Sequence, residues 1–455
     1  MFPCAGLPQS GIVEALSDFY ILLSGSLATM ADDSALLRCL WAVRFTGMLS
    51  NALLIPILPT LLETPLGVRR YGLLQSVCNG GALLMAAWFG RLFDRRGRTV
   101  ALFACALTLL VGIGSIGVGH ALGGVGWALA IACGGRVLQA VGHRSMGGVV
   151  QAATRGGAHN AALVRSAVGI GFASGNALGG WLASFGMVVP LATALLSAAG
   201  TCGVVVTTTL VAGSTGAAAK APADEPVEQK SAPPPKLRLR EMVTARVGAL
   251  LLVQHLGGVA FHLYTSTWGV CVRERLGYTP AQFGFMLGFI GWSFALINLL
   301  VVPRLVKLSS SDTQMLRVGL LLSAAARFLQ GAANSTAQLM AANVLLALGR
   351  ASASTLTSHL IATAAPPAQR GSLLGVSESV LDAAGVYAPL LSSWLVEAYG
   401  TSAPAFAAGV VSLGALGCAC FALSDDAAAA NAVPTVGAVP ATAAAVDGDV
   451  RKKTD

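Results

Sequence analysis

An apolar segment long enough to cross a membrane recurs along this chain and constrains its fold more than any other feature. Such segments lie near 36–61, 71–90, 99–119, 127–153, 163–185 and 188–211. After a polar break come 247–270, 283–302, 316–331, 337–362, 371–396 and 403–423. A helix needs about 20 apolar residues to cross the hydrocarbon layer, and lipid offers the backbone no hydrogen-bond partners, so runs of this kind must be helical. The expected fold is an all-α membrane protein of about twelve transmembrane helices, six on each side of the break.

Composition agrees. Charged residues make up 11% of the chain, against roughly 25% in soluble domains, too few to coat a water-facing surface. The 54 glycines suit close helix packing. The net charge of +9 does not point to nucleic acid, because the basic residues sit in short runs between apolar spans. One set of loops carries Arg91, Arg95, Arg96 and Arg98, then Lys220, Lys230, Lys236, Arg238, Arg240 and Arg246, then Arg304 and Lys307. The opposite loops hold Arg69, Arg70, Arg273 and Arg275. By the positive-inside rule both termini are expected to be cytoplasmic.

The expected division is 1–35 as an N-terminal cytoplasmic segment, 36–212 as the first six helices, and 213–245 as a cytoplasmic linker. Residues 246–424 form the second six helices, and 425–455 a disordered Ala-rich tail. Within the first segment, 11–30 is apolar but carries Glu14, Asp18 and Gly25, and reads as a tail or surface helix. The linker holds Pro222, Pro226 and the run Pro233, Pro234, Pro235, which keeps it extended. The nine cysteines are scattered from Cys4 to Cys420 without metal-ligand spacing and read as free thiols. There is no phosphate loop, metal cluster or nucleophile–base pair, so neither enzyme activity nor a cofactor is expected.

The most specific local signal is the loop 90–98, with Gly90, Asp94, Arg95, Gly97 and Arg98. Gly90 would allow close helix approach and Gly97 a sharp turn. Asp94 would accept charge-assisted bonds or cap the next helix. The plain alternative is a basic loop with one compensating acid. Following the second of twelve spans, this loop resembles the signature of the major facilitator superfamily. Two further segments resemble the drug:proton antiporter-like branch, which includes tetracycline exporters and organic-cation-transporter-like proteins. Arg136 and Gln139 match its Arg-x-x-Gln-Gly, with Ala140 in place of the last Gly. Gly171, Gly175, Asn176, Gly179 and Gly180 match its Gly-x-x-x-Gly-Pro-x-x-Gly-Gly, with Asn176 in place of Pro. The resemblance implies two pseudo-symmetric six-helix bundles around a central cavity, working by alternating access. It also implies a small organic solute as substrate, protons as coupling ion, and efflux by antiport.

Charges inside spans are costly and therefore functional candidates. Glu378 and Asp382, four residues apart on the eleventh span, share one helix face and form a candidate proton or cation site. The alternative is a structural pair neutralised by Arg350 or Arg327. Arg136 is a candidate for the cavity or for an ion pair between helices, while Arg44 could snorkel to the membrane edge. His255 and His262 read as hydrogen-bonded interior residues rather than a proton relay. Trp88, Trp127, Trp181, Trp268 and Trp394 read as interfacial anchors. Two rivals stay open: a non-transporting sensor or scaffold with the same fold, and a nutrient uniporter or symporter.

Overall fold

The computed structural model describes residues 34–123, 126–154, 157–214, 244–302, 304–305, 311–364 and 370–423. Most of the expected N-terminal segment, most of the linker, residues 303 and 306–310, and the C-terminal tail lie outside these residues. Among the described residues the chain is helical with short connections. The first helix, α1 (Ser34–Leu54), bends into a π-helical turn at Pro59–Glu63. The helical stretch Val68–Ala121 then runs for 54 residues. At 1.5 Å per residue it would be about 80 Å long, far beyond the roughly 30 Å of a hydrocarbon core.

Gly97 resolves this, for its φ of 83° and ψ of 171° break the helix. A left-handed φ is one that side-chain-bearing residues rarely adopt. The two arms, α2 (68–96) and α3 (98–121), fold back on each other. Gly81 of α2 and Gly112 of α3 both meet the segment 137–141 of the next helix, although 31 residues apart in sequence. Then follow α4 (Trp127–Ala153), α5 (Gly157–Leu182) and α6 (Val188–Ser214), which complete the first half. The second half comprises α7 (Ala245–Thr265), the short α8 (Trp268–Leu276), α9 (Pro280–Leu296), α10 (Asp312–Ala332), α11 (Thr336–Ala364), α12 (Arg370–Tyr399) and α13 (Ala403–Ala422).

Among the described residues, six helices qualify as spans on length and hydropathy alone, or seven with the bent first pair. The Val68–Ala121 stretch supplies two crossings, and α9 gains length from the π-helical turn Ile297–Val301. Helices α4 and α10 carry Arg136, Arg144, Arg317 and Arg327, which lower their hydropathy. Among the described residues twelve arms of spanning length result, an even number that would put both ends of the described chain on one face, the near face. Each half has its own apolar core. One cluster gathers residues from Leu37 to Val205; the others gather residues from Val247 to Leu423.

Contacts between halves run along two seams. In the first, Gly180 of α5 faces Gly284 of α9, and Gly288 and Gly291 face Ala173. In the second, Gly72 of α2 abuts Ser393 and the Pro389 carbonyl of α12. Backbones this close need residues without a side chain at the contact. Trp268 corrects one expectation, since it is 8% exposed and packs on Tyr264 and Phe283 within the core. Trp88, Trp127, Trp181 and Trp394 are exposed, in keeping with an anchoring role.

Candidate functional site

Asp382, near the middle of α12, lies 3.6 Å from the Arg144 guanidinium of α4, so an ion pair joins the two halves. Both side chains are partly open, at 46% and 32% exposure. One turn towards the far face, Asn79 of α2 donates to the Gly385 carbonyl at 2.6 Å. Gly385 is also where His262 of α7 closes in, with Nε2 3.0 Å from the position of a Cβ. His255 of α7 contacts the Val380 carbonyl at 2.9 Å and the Tyr387 hydroxyl at 2.7 Å. Against the expectation of two hydrogen-bonded interior residues, His255 is bonded to α12 but half-buried, and His262 is buried and packs on α12.

Arg144 is the site residue that sequence reasoning missed. A charged residue inside span 127–153, eight positions after Arg136, was the signal that could have found it. Neither Arg350 nor Arg327 pairs with Asp382. Glu378 instead acts electrostatically on Arg350 of α11. Arg44 does not snorkel. It donates to the His143 carbonyl at 3.3 Å and lies 2.9 Å from the Cβ position of Gly147, tying α1 to α4. Arg136 donates to Gln139, and the buried Gln139 donates to Asn51 of α1 at 3.1 Å.

The glycine motif on α5 packs on two sides. Gly171, Gly175 and Gly179 recur every fourth residue and meet α1; a Cβ at Gly179 would lie 2.2 Å from the Leu53 carbonyl oxygen. Gly180, one step round the helix, meets α9 of the other half. Asn176 is fully buried and donates to the Phe172 carbonyl at 2.8 Å. A proline there would lack the backbone N–H, so the asparagine keeps α5 continuous where the drug-exporter pattern would kink it.

The segment 90–98 differs from the expected loop. Helix α2 continues through Asp94, and the turn is the single residue Gly97. Gly90 makes no close approach, with open space around its Cβ position. Arg91, Asp94, Arg95 and Arg96 are exposed and Arg98 is half-buried, and Asp94 forms no ion pair among the described residues.

A second ion pair joins the halves at the far face, where Arg273 of α8 donates to the almost fully buried Glu63 at 2.8 Å. Alongside it, Gly269 packs on Pro59. Close contacts between the halves therefore extend from the far face down to Arg144–Asp382. Below that pair, Gly148 of α4 and Gly375 of α12 border open space. This conformation is shut towards the far face.

Comparison with known proteins places this architecture. A protein-family model described as Major Facilitator Superfamily matches residues 40–311 and 250–453. The chain belongs to the Major Facilitator Superfamily. It is an integral, multi-pass membrane transporter of that superfamily's type, not an enzyme. No curated protein matches the sequence. Solved superfamily structures share the fold. The human organic anion transporter MFSD10 (TETRAN) is 19% identical, with a TM-score of 0.62 over 84% of this chain and 98% of that one. The nucleoside transporter NupG is 14% identical, with a TM-score of 0.63 over 86% of this chain and 100% of that one. A bacterial homologue of the human lysosomal transporter Spinster, inward-facing and unoccupied, is 13% identical, with a TM-score of 0.63 over 86% and 96%.

Proposed function

We propose that this chain is a proton-coupled secondary transporter of a small organic solute, with Asp382 as the proton-binding group. The carrying observation is the Arg144–Asp382 pair, which bridges the halves with both side chains partly exposed. A proton on Asp382 removes the charge that holds Arg144. One event then frees a guanidinium in the cavity and loosens a tie between the halves, which links proton binding to their rocking motion. With the termini cytoplasmic, as the basic loops favour, this conformation opens inward. Exchange of solute for protons, the efflux sense of the drug:proton antiporter-like branch, follows where an organic cation competes with the proton for Asp382.

A second reading has its own observation. Arg44, Arg136 and Arg144 outnumber the acids around the site, which favours an organic anion. Similarity in fold to a protein titled an organic anion transporter accords with this. Such a solute would bind Arg144 once Asp382 is protonated, so proton and solute would cross together.

Proteoliposomes with an imposed proton gradient test both readings, using lipophilic cations and small organic acids as trial solutes. Gradient-driven movement is expected in wild type and should be lost in Asp382→Asn. The sign of the accompanying pH change inside the vesicles separates exchange from cotransport. Undiminished gradient dependence in the variant would refute the assignment of Asp382.

A further inference from the structure

A second cluster of charge, formed by Arg327 and Arg350, lies away from the pair between the halves. Within the second bundle, α7, α10, α11, α12 and α13 line a partly open cavity of about 60 Å³. Arg327 and Arg350 both line it. Arg327 is 2% exposed; it donates to the Gln330 side chain at 3.0 Å and lies over the Tyr264 ring at 5.3 Å. Arg350 lies over the Phe261 ring at 4.1 Å and reaches the Gly257 carbonyl at 3.5 Å. Neither makes a salt bridge among the described residues, and no Asp or Glu lines the cavity. Glu378 acts on Arg350 from outside it. The hydroxyls of Ser323, Thr357 and Ser412 in the wall donate to carbonyls of their own helices. The amide of Gln254, 7% exposed, lines the cavity with no hydrogen bond to another described residue.

Arginine does not shed its proton in a protein, and a guanidinium as buried as that of Arg327, with no acidic partner among the described residues, is unfavourable alone. We infer that this cavity holds a resident small inorganic anion of chloride size, bound by Arg327, Arg350 and the Gln254 amide. The volume admits one such ion with a few waters, and is far below the several hundred Å³ of a drug-sized pocket. All of its walls belong to one half. An occupant therefore stays with that bundle as the halves rock, whereas a transported solute must meet both.

The test is the thermal stability of the purified full-length protein at constant ionic strength, as gluconate is replaced by chloride. Wild type should gain about 2–4 °C in Tm with saturation. Gln254→Leu, which leaves both arginines in place, should raise the half-saturating chloride about tenfold, as expected for a lost buried hydrogen bond to a charged group. Arg327→Gln, if it folds, should abolish the response. A wild-type Tm indifferent to chloride overturns the inference. So does a chloride effect that survives in Gln254→Leu unchanged, or stabilisation by acetate and not by chloride. None of these outcomes depends on the solute or on proton coupling.

Discussion

Neutralising Glu63 should shift the conformational equilibrium towards opening at the far face. Glu63 and Arg273 come from opposite halves and meet at 2.8 Å, so alternating access must break their bond each time the far mouth opens. Glu63→Gln keeps an oxygen that can accept from Arg273 but removes the charge. A charge-assisted bond exceeds a neutral one by about 1–1.5 kcal/mol. Glu63 is 3% exposed at its side chain, which argues for the upper part of that range, while Arg273 at 35% is partly screened and argues for the lower. A value near 1.4 kcal/mol changes the ratio of closed to open far mouths about tenfold. Spin labels on the outer ends of α1 and α8, with distances measured by pulsed electron resonance, report that ratio directly. A population of longer distances should grow in the variant and shrink again in Glu63→Asp if the shorter acid still reaches Arg273. An unchanged distribution in Glu63→Gln, from folded protein, would refute the view that this pair latches the far face.

Other substitutions test the packing. Gly179→Ala places a Cβ 2.2 Å from the Leu53 carbonyl oxygen and should cost about 1–3 kcal/mol, seen as a lower Tm. Gly90→Ala meets open space on a helix and should be neutral or stabilising by about 0.5–1 kcal/mol in the same assay, despite lying in the signature segment. Trp268→Ala empties a core position and should cost about 3–5 kcal/mol by thermal unfolding, whereas the same change at exposed Trp127 should cost far less. Asn176→Pro removes a backbone N–H and the bond to Phe172 within α5, and should destabilise by about 3 kcal/mol or more. A melting curve equal to wild type would show that α5 already tolerates a kink there.

The sequence by itself determined the fold class and its two-part layout. Apolar length and the scarcity of charge are properties of the chain's interaction with lipid, and they are legible without contacts. Gly97 as a turn and the four-residue glycine spacing on α5 were equally legible, because each rests on local backbone geometry. Partners across space were not. That Asp382 meets Arg144 rather than Arg350, that Arg44 turns inward to α4, and that Trp268 is core rather than anchor depend on how separate helices are rotated against one another. The Glu63–Arg273 latch joins residues 210 positions apart, and no periodicity encodes such a pairing. Gly90 shows the reverse, a motif position whose expected close contact the packing of its neighbours does not supply. A helix's own sequence states which residues share a face; only the tertiary packing decides what that face meets.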